Sequence, residues 1–441
     1  MRKIGLGFIG IIVVAMIYYF TSGSTRVTEE IKKQVNHELL TLQQNGFGVG
    51  EREVKKSEEH FVLDFSEPKK IISYLKHQGL QVNIKDLSSL KGMKFAVDAK
   101  YLNDTYSALS VDIYPKALPS KIVTSLKAED QKMLSRIEKM IADKTLLIHI
   151  DFNKLLSGFK GYIKNIDETF KDEVTMHLLA QGMTFDGSLK NEKLKNLQQT
   201  VKHFSLVADD KIDVTLSNFT TEYALKSESA YDTHANYRVE NFKMRAEKIF
   251  RMELSNIKGS STTSLKNKLL KSTIHSTIEG ILVQEKQKKY TLKQSLFDLT
   301  IDNLDIEAFE KLQTVNSEDH TAINLLTQQI LSKGVEFNIS KLSSKEVTID
   351  DAPMGNFDLS ASGNIDKGLD IAAAQQNPFI LLQALSAQTH VEASPALFLH
   401  LMQDPRAMMV MMLIPPEEKN GQKVYDVSYI KGKLTVNGMN F

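Results

Sequence analysis

The chain has 441 residues, with 55 Lys+Arg against 54 Asp+Glu and a net charge of +1. Its basic residues are interleaved with acidic ones, so no massed positive field favours nucleic acid, which is set aside as a partner. Cysteine is absent, which excludes disulfides, thiolate metal sites, cysteine nucleophiles and a lipidated N-terminal cysteine, and suits an oxidising compartment.

Met1-Arg2-Lys3 is a short positive head, and a run of 17 residues from Ile4 to Phe20 follows without a charge. As a helix this run spans about 26 Å, close to the ~30 Å hydrocarbon core of a bilayer. Ile4, Phe8, Ile11, Val14, Ile17, Tyr18 and Phe20 are the expected membrane anchor, with the two tyrosines at the interface. Arg2 and Lys3 orient the N-terminus to the cytoplasm. Gly5-Leu6-Gly7-Phe8-Ile9-Gly10 matches G-x-G-x-x-G, but a nucleotide fingerprint needs a strand before its first glycine and only Arg2 to Ile4 stand there. The polar residues after Phe20 lack an A-x-A pattern, so an uncleaved anchor is expected rather than a signal peptide.

Val27, Ile31, Val35 and Leu39 recur every four residues and predict a helical stalk over Thr25 to Gln44. Gly46, Gly48 and Gly50 then read as a flexible turn. Phe61 to Phe65, Met93 to Ala99 and Leu109 to Tyr114 alternate as strands, the last stopped by Pro115. Helices are expected at Pro68 to His77 and Ala128 to Asp143. Beyond Thr145 the chain is a series of alternating strands, from "TLLIHIDF" to "VYDVSYIKGKLTVNGM". Such strands have one dry face and one wet face and argue for a large antiparallel sheet. Helical patterns interrupt it at Ala308 to Gln313, Ala322 to Lys333 and Ala396 to Met412.

A weak repeat runs through the strands. Leu216-Ser217-Asn218-Phe219, Val239-Glu240-Asn241-Phe242, Leu254-Ser255-Asn256-Ile257 and Ile301-Asp302-Asn303-Leu304 each read apolar, polar, Asn, apolar. At each the alternation slips by one residue, which would turn later side chains to the wrong face unless a bend absorbs it. Asn tolerates the left-handed conformation such a bend needs, so repeated bending and a curved sheet are expected.

Chemistry-bearing motifs are sparse. The 11 histidines include no H-E-x-x-H. His149 and Asp151 share a strand face, but a polar face is the simpler reading without a third ligand. Asp209-Asp210, Asp350-Asp351 and Glu417-Glu418 read as solvated turns. Met402, Met408, Met409, Met411 and Met412 cluster near the end. Core packing explains them most simply; the alternative is an apolar ligand surface, since Met fills irregular gaps.

The layout resembles that of the YdgA-like proteins of Gram-negative bacteria. "FDLTIDNLDIEAFEKL" is similar to that family's strand, "NLD" and helix step, here Ile301 to Asp305 and Ala308. "NFDLSASGNI" resembles the following strand, "AQTHVEASPALFLHLM" a strand-then-helix segment, and "YIKGKLTVNGMNF", with Lys431 to Gly438, the closing hairpin. The N-terminal third, to about Lys144, carries less of it. The resemblance implies an inner-membrane-anchored periplasmic protein of the cell envelope and brings no catalytic residue with it.

The expected fold is α+β and strongly β-rich: an N-terminal transmembrane helix, then a large curved antiparallel sheet with a few covering helices. The expected divisions are residues 1–24, 25–144 and 145–441. The expected function is non-enzymatic, with an apolar or lipid ligand in a curved-sheet groove and no cofactor. The alternative is a scaffold or assembly factor contacting other envelope proteins.

Overall fold

A computed structural model of the protein describes residues 28–77, 91–102, 107–171, 174–190, 193–209, 211–227, 229, 231–247, 249–315, 319–367, 369–404, 408 and 414–441. The expected anchor residues Ile4, Phe8, Ile11, Val14, Ile17, Tyr18 and Phe20 lie outside the described residues. Among those described, no helix is long and apolar enough to cross a membrane. The chain divides into two compact units, Met1–Asp209 with Ser217–Ala224, and Asp210–Leu216 with Leu225–Phe441.

The first unit runs α1 (Thr28–Gln44), β1 (Phe47–Val54), β2 (Glu58–Phe65), α2 (Pro68–His77), β3 (Lys94–Tyr101), β4 (Ser107–Ala117), α3 (Ser120–Glu129) and α4 (Gln131–Ala142). It continues through β5 (Ile148–Asn153), β6 (Gly158–Ile163), β7 (Ile166–Lys171), β8 (Thr175–Lys190) and β9 (Lys193–Ala208). The strands pair antiparallel in the order β1, β2, β3, β4, β5, β6, β8, β9. β6 and β7 lie end to end along one edge of β8. Gly182 stands at their junction with φ 61, and its N–H donates to Asn165 Oδ1 at 3.0 Å. The side chain thus satisfies a donor that no strand reaches there.

Period-two alternation sorts this sheet into two faces. Phe61, Leu63, Val97, Leu109, Val111, Ile113, Ile150 and Phe152 fill the core face, which Val35, Leu39 and Leu42 of α1 and Ile71 and Ile72 of α2 cover. Glu59 lies at the edge of this core, 2% exposed. Its carboxylate accepts from Arg52 Nε at 2.7 Å and Tyr101 Oη at 2.7 Å, the pairing a buried charge requires.

Three expectations are corrected here. The Gly46 to Gly50 stretch is not a flexible turn. Only Gly46, at φ 95, turns the chain, and Gly48 and Gly50 belong to β1. Phe47 fixes that strand by packing edge-on against Phe65 at 5.2 Å and Tyr74 at 6.5 Å. Pro115 does not stop β4. The β3–β4 register shifts between Lys94 and Phe95, where Pro115 pairs, so its missing N–H falls at an irregularity of the ladder. The helix expected over Ala128 to Asp143 is also broken, because Asp130 ends α3 and caps α4 by accepting from Met133 N at 2.8 Å.

In the second unit β10 (Ile212–Leu225), itself divided between the units, is followed by β11 (Thr233–Ala246), β12 (Phe250–Lys266), β13 (Leu269–Glu285) and β14 (Lys288–Asp305). Then come α5 (Ile306–Thr314), α6 (His320–Leu331), β15 (Glu336–Ile349), β16 (Ala352–Ile365), α7 (Ile371–Gln376), α8 (Pro378–Ala384), β17 (Leu385–Ala393) and α9 (Pro395–Leu401). β18 (Glu417–Lys419), β19 (Gln422–Ile430), β20 (Lys433–Val436) and β21 (Met439–Asn440) close the order. The antiparallel sheet runs β11 to β17 in sequence order, then β19, β20 and β21, with β18 also on β19. The molecule is strongly β-rich, its open antiparallel sheet carrying few helices.

Tight turns set this register. Asn267-Lys268, Asp350-Asp351, Asn420-Gly421, Lys431-Gly432 and Asn437-Gly438 each place both residues at positive φ, the type I′ geometry whose twist matches a two-residue hairpin. Asp350-Asp351 is therefore a turn. Asp305, Asp319 and Asp370 cap α5, α6 and α7 through Ala308 N, Ala322 N and Ala373 N. α7 and α8 were not expected, although Asp370 and the Asn377-Pro378 pair are helix-start signals.

Phe61→Ala should destabilise the first unit by about 3–5 kcal/mol through the cavity left in its core. Tyr101→Phe should cost about 1.5–3 kcal/mol by stripping the buried Glu59 of a donor. Urea titration followed by circular dichroism measures both.

Candidate functional site

The second unit carries an amphipathic sheet. Its register aligns Met244, Met252, Val283, Tyr290 and Ile349 in one row across β11 to β15, and Phe242, Leu254, Ile281, Leu292 and Val347 in the next row of the same parity. The row between them runs Lys243, Glu253, Leu282, Thr291 and Thr348, and just beyond the second apolar row Lys293 and Glu346 stand opposite each other with side chains paired at 2.8 Å. Further along, Val239, Ile257 and Ile278 share a row, followed by Tyr237, Phe297, Leu342, Leu359, Val391 and Tyr425. The apolar set thus changes from even to odd positions midway along β12.

The change falls on one row. Glu240, Asn256, Glu279, Gln294 and Lys345 stand opposite one another, and none of the ladders forms its pair there although pairing resumes in the same register on both sides. Asn256 has φ 48 and Gln294 φ 50. Asn256 Nδ2 donates to Glu279 Oε2 at 2.6 Å across the row. Ser344 Oγ, 1% exposed as a residue, lies 2.9 Å from Lys293 O and 3.1 Å from Glu346 O and ties the bend to β14. Each strand absorbs its slip at the same level, so neighbours stay in register while the apolar residues keep to one side.

Three of the four expected Asn bends hold: Asn218, Asn256 and Asn303 have φ 49, 48 and 61. Asn241 is not one of them, because it pairs with Ser255 and Glu240 takes the bend row. Glu279 and Gln294 were missed: "IEGI" holds the same slip, whereas in "LKQSL" Leu292 and Leu296 keep one parity and no slip shows. The helices pack on β14, β16, β17 and β19. Apolar side chains such as Met252, Leu254, Ile257, Ile281 and Leu292 stay half-buried. Gly259 sits under the Tyr237 ring and Gly363 under the Phe337 ring, so those aromatics lie flat along the sheet.

Of the expected methionine surface, Met402 is half-buried just beyond α9 and Met408 is 42% exposed, while Met409, Met411 and Met412 lie outside the described residues. Phe398 of α9 packs against Tyr425 at 6.1 Å.

Histidines pair across strands. His149 holds Asp112 at 2.7 Å by Nδ1 and lies 3.3 Å from Asp151 by Nε2, with its ring stacked on Tyr162. Both ring nitrogens thus face carboxylates, and among the described residues no cluster of His, Asp and Glu converges as a metal cage. His275 pairs with Asp298. His390 Nδ1 lies 2.6 Å from Asp426 and Nε2 3.1 Å from Glu392. The Asp426 hydrogen bond raises the affinity of His390 for its proton, outweighing burial, and reciprocally holds Asp426 below the usual carboxylate range. Lys419 joins this cluster 3.5 Å from Asp426.

No family model, curated protein or solved structure matches this chain.

Asn256→Gly should hold or slightly raise stability, whereas Asn256→Val should cost about 1–2 kcal/mol, because a β-branched residue resists positive φ; denaturant midpoints read the difference. The His390–Asp426 pair should stabilise fully below about pH 6.5 and above about pH 4, where the unfolded groups titrate. Its histidine share should fade as pH rises through the raised folded value, and its aspartate share as pH falls through the lowered one. His390→Gln should flatten that dependence in denaturation series run from pH 4 to 9.

Proposed function

We propose that this is a non-enzymatic binding protein of the bacterial cell envelope, tethered to the inner membrane by residues 4–20 with its bulk in the periplasm. On this reading the sheet of the second unit curves about its bend row and takes an apolar or lipid ligand on its apolar face. The observation that carries the reading is the alignment of that face across strands. A soluble single-layer sheet has no use for rows of half-buried Met, Leu, Ile and Phe unless something apolar lies on them. The bend row is the supporting feature, since bending β11 to β15 at one level turns that part of a flat face concave. The tether reading rests on the uncharged run and its flanking Arg2 and Lys3.

A scaffold role is the second reading, and it draws on a different surface. Phe379 of α8 and Leu325 of α6 are each 68% exposed, as a protein-docking patch would be. Full-length protein, extracted from membranes and exchanged into lipid-free polymer, should release phospholipid or fatty acid in native mass spectrometry. Leu254→Lys with Ile281→Lys should cut the bound lipid at least about tenfold, since each buries a charge where hydrocarbon would lie. An empty wild-type protein, or equal lipid in the double variant, overturns the reading; crosslinks from the Phe379 surface to envelope proteins would then favour the scaffold.

A further inference from the structure

The polar face of the second unit carries one row without charge. It runs from His234 on β11 through Thr262, Thr273 and Thr300 to Asn338 on β15. It continues through Ser362, Gln388 and Ser428 to Thr435 and Asn440 at the sheet edge. These residues alternate with Ile274, Leu299, Ile339 and Val427, so they stand on the face away from the apolar rows. Ten strands contribute, and none supplies Lys, Arg, Asp or Glu. Charged residues make up 25% of the chain and concentrate on outward faces, so their absence is particular to this row. The neighbouring rows of the same face do carry them: His275 faces Asp298 on one side, and Lys271 pairs with Asp302 at 2.9 Å on the other.

The ends of the row are hydrogen-bonded within it. His234 Nδ1 lies 3.1 Å from Thr262 Oγ1, Thr273 Oγ1 lies 3.4 Å from Thr300 Oγ1, and Thr435 Oγ1 donates to Asn440 Oδ1 at 3.2 Å. The middle is different. Among the described residues, the side chains of Asn338, Ser362, Gln388 and Ser428 have no protein hydrogen-bond partner, and neither have those of Ser360, Asn364 and Ser386 beside them. Two clefts, of about 360 and 530 Å³, open over this stretch. Asn338, Ser362 and Gln388 line both, so the two make one trough. His390 and Asp426 stand at one end and neutralise each other at 2.6 Å, and Glu336 stands at the other.

This lining excludes most ligand classes. Nucleic acid and phosphate groups need cations, and neither Lys nor Arg lines the trough. A hydrocarbon chain would strip water from these side chains and return no hydrogen bond. The core of a protein interface draws on Tyr, Trp, Phe, Met and Arg and is poor in Ser, the reverse of this row. A neutral polyol matches it. Each sugar hydroxyl both donates and accepts, as Ser does, and Asn and Gln offer both functions on one amide. Hydroxyls can also reproduce the hydrogen bonds of the waters they displace. Glu336 opposes an acidic sugar.

We propose that this trough binds a neutral saccharide chain, lying across β15, β16, β17 and β19 along Asn338, Ser362, Gln388 and Ser428. With β20 the row offers about 19 Å of contact, at about 4.8 Å a strand. Ile430, opposite Ser386 and 47% exposed, supplies an apolar contact for a sugar's C–H face. The site is independent of the apolar face of the same sheet.

The test uses the full-length protein, kept free of glycoside detergents, on an array of neutral hexose and N-acetylhexosamine oligosaccharides, with sulfated and sialylated chains as anionic controls. At least one neutral chain should bind, and the anionic chains should bind at least about tenfold more weakly. Titration calorimetry with the bound neutral chain then compares variants. Asn338→Ala with Gln388→Ala should weaken it at least about tenfold, the loss of two hydrogen bonds. The same variant should keep the wild-type unfolding midpoint, because neither side chain bonds to protein. Thr262→Val, on the same row outside the clefts, should leave affinity unchanged, and so should Leu254→Lys with Ile281→Lys on the apolar face. No neutral chain bound, anionic chains bound as tightly, or equal affinity in the Asn338 and Gln388 double variant would each overturn the proposal. A lowered midpoint in that variant would assign the two side chains to the fold and overturn it as well.

Discussion

The structure depends on one constraint, the strict period of two along a β-strand. A single extra residue in that pattern exchanges the faces of everything beyond it. In the second unit the slip occurs in strand after strand, and one strand alone could not accommodate it without losing register with its neighbours. From β11 to β15 the chain puts one slip of each strand on one level. Asn256 and Gln294 take positive φ there, Ser344 holds the backbone of the adjoining strand, and pairing resumes unchanged on either side. Turns at Asn267-Lys268 and Asp350-Asp351 maintain the level, because a two-residue hairpin leaves no freedom to slide.

The two units solve burial differently. In the first, helices α1 and α2 cover one face of the sheet and α3 and α4 pack on the other side, so Phe61, Val97, Leu109, Ile113, Ile150 and Phe152 are wholly enclosed. The second face carries the His60, Asp98, Tyr114 and Lys144 group beside its cleft. In the second unit long strands are ordered chiefly by ladder hydrogen bonds and by cross-strand pairs such as Lys293–Glu346. Its apolar residues are only half-enclosed, and that incompleteness is what the proposed apolar ligand rests on.

Much of the architecture was legible locally. The α2 span, the strand-rich second half, the Asp350-Asp351 turn and the bends at Asn218, Asn256 and Asn303 follow from periodicity and from the left-handed tolerance of Asn. Less legible were elements whose signals are short or contradicted. Gly48 and Gly50 argue for a loop, yet β1 forms because Phe47 has an aromatic pocket made by residues distant in sequence. Pro115 argues for a strand end, yet the opposing strand shifts to receive it. Lys144 offered no sequence signal, since nothing local marks a lysine that adopts a glycine conformation.

The sequence by itself determined where each side chain of a strand points relative to its neighbours, where the alternation slips, and which turns are tight. These are properties of a few consecutive residues and of their φ and ψ preferences. Only the tertiary structure decided that separate slips form one row, that Asp98 gathers His60, Tyr114 and Lys144, and that His149 lies between two carboxylates. Those groupings join residues from different strands, and their spacing is set by register across the sheet, which no local pattern encodes.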